Sequence, residues 1–184
     1  MYAGHFAAGL AIKARKPDAP TAGLVAGAVF LDLLFAVFVM TGVERVHMTP
    51  GISPGFVLDD IDWSHSLLMA LVWSILFGVA YRNRDWSVRL ALGCAVFSHF
   101  VLDFLMHPPD LALWPGARIH LGLGIWRRWP HGAWFFELAF IAACLAYYFR
   151  RSRVQRTFGY RAGWVCAVVI VLHVLDSPWF SPVK

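Results

Sequence analysis

Three ionisable side chains recur at intervals of four residues in an otherwise apolar stretch, SHFVLDFLMHPPD (98–110). On a helix, residues four apart lie on one face, so His99, Asp103 and His107 share a stripe. Imidazole nitrogens and carboxylate oxygens are typical ligands of zinc and similar ions. His99 and Asp103 can therefore reach one ion together. His107 lies about 12 Å along the axis from His99, too far to share that ion easily, which leaves it a local or substrate-facing role.

The stripe belongs to a chain with the composition of a membrane protein. Of its 184 residues, 59% are hydrophobic and 15% are charged, whereas soluble domains carry about 25% charged residues. We predict an all-α, polytopic membrane helix bundle that forms one integral-membrane domain over residues 1–184. Since a helix needs roughly 20 apolar residues to cross a bilayer, five full spans are predicted, near residues 22–42, 66–81, 87–107, 132–150 and 160–180. The N-terminal run MYAGHFAAGLAI is shorter and is interpreted as a half-span or re-entrant helix.

Basic residues predict how the spans are oriented. The segments KARK (13–16), RNR (82–84) and RRSRVQR (150–156) fall on one side of the predicted bundle, which the positive-inside rule assigns to the cytoplasm. Such loops resting on anionic lipid account for the net charge of +5, so no nucleic-acid partner is expected. In this orientation all eight histidines lie in the outer half of the spans or in outer loops.

Several ionisable residues within the predicted spans need a polar environment. Each costs about 2.5–3.5 kcal/mol inside a bilayer, so its side chain should face protein, water or a metal. Five of them lie on four predicted helices at depths that can converge: Asp32, His65, His99, Asp103 and Glu137. A lone intramembrane His or Asp equally well joins two helices through a hydrogen bond, but the set favours a metal site. His173 and Asp176 are open to either interpretation.

Two motifs carry a resemblance to a known family. DWSHSLL (62–68), followed by SHFVLD (98–103) in a later span, resembles the LexA-binding, inner membrane-associated metal-dependent hydrolases. The resemblance extends over roughly residues 1–150 and includes an early histidine and an aspartate in the first full span. It implies a location in a bacterial inner membrane. It also implies a set of metal ligands: His5, Asp32, His65, His99 and Asp103.

The function expected from these residues is hydrolysis of a lipid or lipid-linked substrate at the outer leaflet. The cofactor would be a divalent metal ion, with zinc as the first choice, that lowers the pKa of a bound water towards 7. Asp62 or Glu137 would accept the proton of that water. Two alternatives stay open. One is a small transporter, for which the inner halves of the spans offer few polar residues, and the other is a non-catalytic membrane protein whose metal or polar cluster only holds the helices together.

Overall fold

The computed structural model describes residues 2–48, 56–154 and 159–177, and these are mostly helical. The described helices are α1 (Tyr2–Arg15), α2 (Thr21–Ala28), α3 (Phe30–Met40), α4 (Asp62–His65), α5 (Leu67–Ala80), α6 (Trp86–Met106), α7 (Ile125–Arg128), α8 (Pro130–Val154) and α9 (Gly159–Leu175). The short strands form two antiparallel hairpins, β1 (Arg45–Met48) with β2 (Phe56–Asp60), and β3 (Leu111–Ala112) with β4 (His120–Leu121). The all-α prediction is thus confirmed for the bulk of the chain and misses the two hairpins.

The prediction of five full spans is wrong. Among the described residues, α6 and α8 are long and apolar enough to cross a membrane, and α2 with α3 make a third span if this pair, bent by 55°, counts as one. The runs predicted at 66–81 and 160–180 form α5 and α9, which have 14 and 17 residues. At 1.5 Å per residue, a helix of 14 residues rises about 21 Å, which is less than a hydrocarbon core of about 30 Å. The last residues of the fifth predicted span lie outside the described residues.

The predicted half-span, α1, lies inside the bundle, where it packs against α2, α6, α8 and α9. Most of its residues are buried, and many of them are alanine or glycine. Small residues let helix backbones approach closely. At Gly9, for example, an added Cβ would lie 3.0 Å from the carbonyl oxygen of Leu24. Because α1 is enclosed in this way, His5 points into protein and is buried.

Two interruptions of the helices lie next to predicted site residues. Between α2 and α3, the N–H of Val29 bonds to the carbonyl of Ala26 instead of continuing the regular ladder. Between α4 and α5, Ser66 adopts an extended conformation. Asp32 therefore lies in the first turn of α3, and His65 is the last residue of α4. Residues at such breaks can be aimed inwards independently of the helix that precedes or follows them.

The helices α5 and α6 approach each other most closely at two glycines. A Cβ added to Gly78 would lie 2.8 Å from the carbonyl oxygen of Arg89, and one added to Gly93 would lie 2.9 Å from the carbonyl oxygen of Ser74. Both obstacles are backbone atoms, which cannot move aside without separating the helices. Since α6 also carries His99 and Asp103, this contact helps to set the position of the site.

We expect the substitution Gly93→Ala to destabilise the protein by about 1–3 kcal/mol, the usual cost of overpacking a close contact. Thermal unfolding of the detergent-purified protein measures the effect. Gly163→Ala in α9 is the matched control, because a Cβ at Gly163 meets nothing within 4 Å. That control should be neutral or stabilising by about 0.5–1 kcal/mol, the gain in helix propensity. Equal melting temperatures for the two variants would contradict the close contact.

Candidate metal centre

The five predicted metal ligands come together at one place in the bundle. His5 comes from α1, Asp32 from α3, His65 from α4, and His99 and Asp103 from α6. Two overlapping groups of these residues could hold a metal ion: His5, His99 and Asp103, and also Asp32, His65 and His99. Within each group, one ligand atom per residue lies within 4.8 Å of the others. Residues far apart in the sequence therefore form one cluster of imidazoles and carboxylates.

Asp103 is the member that contacts most of the others. Its Oδ2 lies 3.1 Å from Nε2 of His99 and 3.7 Å from Nε2 of His65. Its Oδ1 lies 3.2 Å from Nε2 of His5. The residue is only 3% exposed, and a buried carboxylate is costly unless cations or hydrogen-bond donors surround it. The imidazoles and any bound ion fill that role.

Asp32 forms the open side of the cluster. Its Oδ1 lies 3.4 Å from Nε2 of His99 and 3.7 Å from Nε2 of His65. The side chain is 41% exposed, whereas those of the two histidines and Asp103 are at most 5% exposed. A catalytic zinc site keeps one coordination position open, and a structural site is closed by its protein ligands. The exposure of Asp32 fits the first kind of site better.

A backbone carbonyl fixes the orientation of His99. Its Nδ1 lies 2.8 Å from the carbonyl oxygen of Ala28, the last residue of α2 before the helix is interrupted. A carbonyl oxygen can only accept, so Nδ1 carries the proton and donates it. In the neutral ring, Nε2 then has a free lone pair. This arrangement is how proteins commonly orient a histidine that binds a metal.

Ser64 and Glu44 orient His65 in the way that the carbonyl of Ala28 orients His99. Its Nδ1 lies 2.7 Å from Oγ of Ser64, and that oxygen lies 2.8 Å from Oε2 of Glu44. If the single hydroxyl proton of Ser64 is donated to the Glu44 carboxylate, the hydroxyl must accept from Nδ1–H of His65. Nε2 of His65 is then also a lone-pair nitrogen. Two separate hydrogen-bond systems thus leave both nitrogens able to bind a cation.

These assignments bring acceptor atoms face to face. Nε2 of His99 is buried and has no hydrogen-bond partner among the described residues, although carboxylate oxygens of Asp103 and Asp32 lie 3.1 and 3.4 Å away. A second proton on His99 bridges one such contact. A divalent ion accepts electron pairs from both nitrogens and both carboxylates at once. The residues present therefore fit a metal ion.

Sequence reasoning missed Glu44 and the carbonyl of Ala28. Glu44 is 1% exposed and lies between α3 and β1, 20 residues before Ser64, which donates to it through both its backbone N–H (2.7 Å) and its hydroxyl. Nothing in the local pattern around Glu44 marks it. The signal that could have found it is the hydroxyl of Ser64 directly before His65, because a hydroxyl that orients a histidine needs an acceptor of its own.

His107 lies at the end of the stripe, behind Asp103. Its Nε2 is 3.9 Å from Oδ1 of Asp103, and its Nδ1 is 3.2 Å from Oδ1 of Asp110. Burial lowers the pKa of His107, but the carboxylates of Asp103 and Asp110 outweigh this effect and raise it above the ordinary value. The ring of Trp126 lies over it at 5.2 Å. This histidine therefore contacts the cluster from the side opposite His99.

The predicted proton acceptor Asp62 holds two segments together. Its Oδ2 accepts from the backbone N–H of Gly116 at 2.7 Å, and its Oδ1 is buried without a hydrogen-bond partner among the described residues. Asp62 begins α4, the helix that ends at His65. It thus fixes the loop after β3 to the helix that carries one of the ligands. Its role in proton transfer stays a prediction.

The other predicted acceptor, Glu137, contacts the start of α1. Its Oε1 accepts from the backbone N–H of Gly4 at 2.8 Å, directly before His5 in the chain. Its Oε2 lies 3.9 Å from Nδ1 of His173, and the His173 ring stacks on Trp134 at 4.6 Å. The pair Glu137 and His173 therefore lies beside the cluster, between α8 and α9. Proton acceptance by Glu137 also stays a prediction.

No family model, curated protein or solved structure matches this chain.

We expect Ser64→Ala to weaken metal binding roughly 10- to 100-fold while the protein still folds, because residues that orient a metal-binding histidine typically contribute that much. Competition with a fluorescent chelator measures the apparent Kd. Ser74→Ala is a matched control, since Ser74 is also buried and its hydroxyl bonds to the carbonyl of Ala70 within α5. An unchanged Kd in the Ser64 variant would contradict the assigned role of the Glu44 and Ser64 pair.

Proposed function

We propose that this protein is a multi-pass membrane hydrolase that uses a divalent metal ion to cleave a lipid or lipid-linked substrate at the outer leaflet of a bacterial inner membrane. The observation that carries the proposal is the buried Nε2 of His99, which has no hydrogen-bond partner among the described residues and faces the carboxylates of Asp103 and Asp32. A cation at this point is the simplest way to satisfy all three groups.

The proposed ion is held by His65, His99, Asp103 and Asp32. Histidine nitrogens combined with carboxylate oxygens suit zinc, whose catalytic sites keep a position for water and can expand to five ligands, so a water could join these four groups. The ion would supply an acidified water, with a pKa near 7, and polarise the oxygen of the scissile group. Residues of the chain orient the two imidazole ligands. Ser64 and the carbonyl of Ala28 hold the two imidazoles, and the exposure of Asp32 leaves an approach for the substrate.

A lipid substrate is supported by the surroundings of Asp32. The helix α3 exposes large apolar side chains at Leu33 (53%), Val37 (47%) and Met40 (78%). In a protein with membrane-crossing helices, such a surface faces acyl chains. Because Asp32 lies on the same helix as this surface, a bilayer lipid would reach the cluster sideways along α3. On the other side, Trp126 packs against the core between α1, α6 and α8.

Asp62 and Glu137 are the proposed proton acceptors. Each lies next to an element that carries a metal ligand, since Asp62 shares α4 with His65 and Glu137 bonds to the residue before His5. Each uses one oxygen to accept from a backbone N–H. The remaining oxygen of one of them would receive the proton of the water, directly or through a further water.

The main alternative is a non-catalytic protein whose metal ion only holds the helices together. The exposure of Asp32 argues against it, because a structural ion is usually enclosed by its protein ligands. A transporter needs a midplane site that is reachable from both sides of the membrane. The described cluster is most exposed at Asp32, and helix ends on the predicted inner side, such as that of α1 at Arg15, carry basic residues. The hydrolase accounts for these features better than either alternative.

We expect Glu137→Gln or Asp62→Asn to retain metal and fold while losing about 10²- to 10⁴-fold in turnover, the usual contribution of general base catalysis. An amide keeps an oxygen that can accept from Gly4 or Gly116, but it cannot take a proton from water. The assay measures release of water-soluble product from vesicles that contain a panel of phospholipids, lipid-linked phosphates and acyl esters. Metal content is determined on the same samples.

Two further variants make the result specific. His99→Ala should lose both metal and turnover, because it removes the nitrogen that faces the two carboxylates. Asp18→Asn should keep both, because Asp18 is 75% exposed and pairs with Lys16 on the predicted cytoplasmic side. The proposal fails if the metal-loaded wild type cleaves no member of the panel. Full activity in both amide variants would remove Asp62 and Glu137 from the mechanism.

A further inference from the structure

The cluster contains more ligands than one ion can take. His99, His65, Asp32 and one oxygen of Asp103 would give the first ion four protein ligands and a remaining position for water. They leave His5, His107 and the other oxygen of Asp103 unused. We propose that these three groups bind a second divalent cation, so that Asp103 bridges two ions. This inference rests on the metal site of the proposed function and adds to it.

The stacking of His5 on His99 is the first reason. The two rings are parallel within 6°, and their centroids are 3.7 Å apart. Their Nε2 atoms face different oxygens of the same carboxylate, Oδ1 and Oδ2 of Asp103. The ligand atoms of His5, His99 and Asp103 are close enough to share an ion, but lone pairs in the planes of parallel rings do not converge on one point about 2 Å away, as ligands of a tetrahedral ion must. We therefore infer that each imidazole points towards a separate metal position.

A shared carboxylate suits a pair of ions. Ions in two-metal sites lie about 3.5–4 Å apart, commonly with ligands that serve both. A carboxylate with one oxygen towards each imidazole is the natural bridge. Asp103 is 3% exposed, and its Oδ1 and Oδ2 already face His5 and His99, respectively.

His107 supplies the third group of the second position. Its Nε2 lies 3.9 Å from Oδ1 of Asp103, the oxygen that His5 also faces. Asp110 lies 3.2 Å from Nδ1 and can accept its proton, so that in the neutral ring the lone pair of Nε2 faces Asp103. The ring of Trp126 and the hydrogen bond from Gly124 N–H to the carbonyl of His107 hold this residue at the end of α6. The histidine is thus oriented as a ligand.

The spacing of the stripe now has an explanation. His99 and His107 are two helical turns apart, about 12 Å along the axis, and cannot share an ion. Asp103 lies midway, one turn from each, and its two oxygens face opposite ends of the stripe. The sequence H-x₃-D-x₃-H on one helix therefore gives each histidine its own ion and a common carboxylate.

The test is the number of ions that the full-length, detergent-purified protein binds. The chelator-stripped protein is reloaded with Mn²⁺ and desalted, and the bound metal is then measured by elemental analysis and by electron paramagnetic resonance. We expect about two Mn²⁺ per chain with a spin-coupled signal. His107→Ala should retain about one, with the signal of an isolated ion. His120→Ala is the matched control, because His120 is exposed on β4, and it should retain two.

Asp110→Asn provides a second variant in case His107→Ala does not fold. It leaves the ligands in place but weakens the orientation of His107, so the second ion should bind roughly 10- to 100-fold more weakly while the first is unaffected. One ion in the wild type, unchanged in signal and number by either substitution, would overturn the second site and leave the proposed function intact. A wild type that retains no metal, as His99→Ala is expected to do, would overturn both.

Discussion

The carboxylate of Asp103 is the group on which the arrangement of the site depends. It is 3% exposed, and imidazoles from four positions lie within 3.1–3.9 Å of its oxygens: His5, His65, His99 and His107. A buried negative charge costs several kcal/mol unless it is paired and hydrogen-bonded. Helices far apart in the sequence must therefore deliver histidines to the same point, and a cation between them would complete the balance of charge.

This requirement explains features of the bundle that a simple membrane protein would not need. To bring His5 against Asp103, α1 must run through the interior, and its alanines and glycines allow α2, α6, α8 and α9 to surround it. The interruption at Val29 gives His99 a carbonyl acceptor at Ala28 and lets Asp32 turn towards the cluster. The break at Ser66 ends α4 at His65. Each deviation from a regular span thus orients at least one ligand.

The sequence predicted which residues come together better than it predicted the helices that carry them. The four-residue spacing of His99 and Asp103, together with the resemblance, identified all five residues that the structure brings together. The number of spans was overestimated because hydropathy reports how apolar a run is, and the length of α5 is set by the turn after Ala80. No proline lies at the bend around Val29, so the sequence does not indicate it. Glu44 and Ala28 reach the histidines only through tertiary contacts, across 20 and 71 residues, which no local pattern encodes.

X-ray absorption spectroscopy of the metal-loaded protein tests the central claim most directly, because it reports the ligand atoms around the ion independently of turnover. The account predicts nitrogen and oxygen neighbours at about 2.0–2.2 Å, with the outer scattering pattern of coordinated imidazole rings. Replacing His65 or His99 should reduce the imidazole contribution. A shell that contains sulfur at about 2.3 Å, as Cys94, Cys144 or Cys166 would give, or one that lacks imidazole altogether, would contradict it.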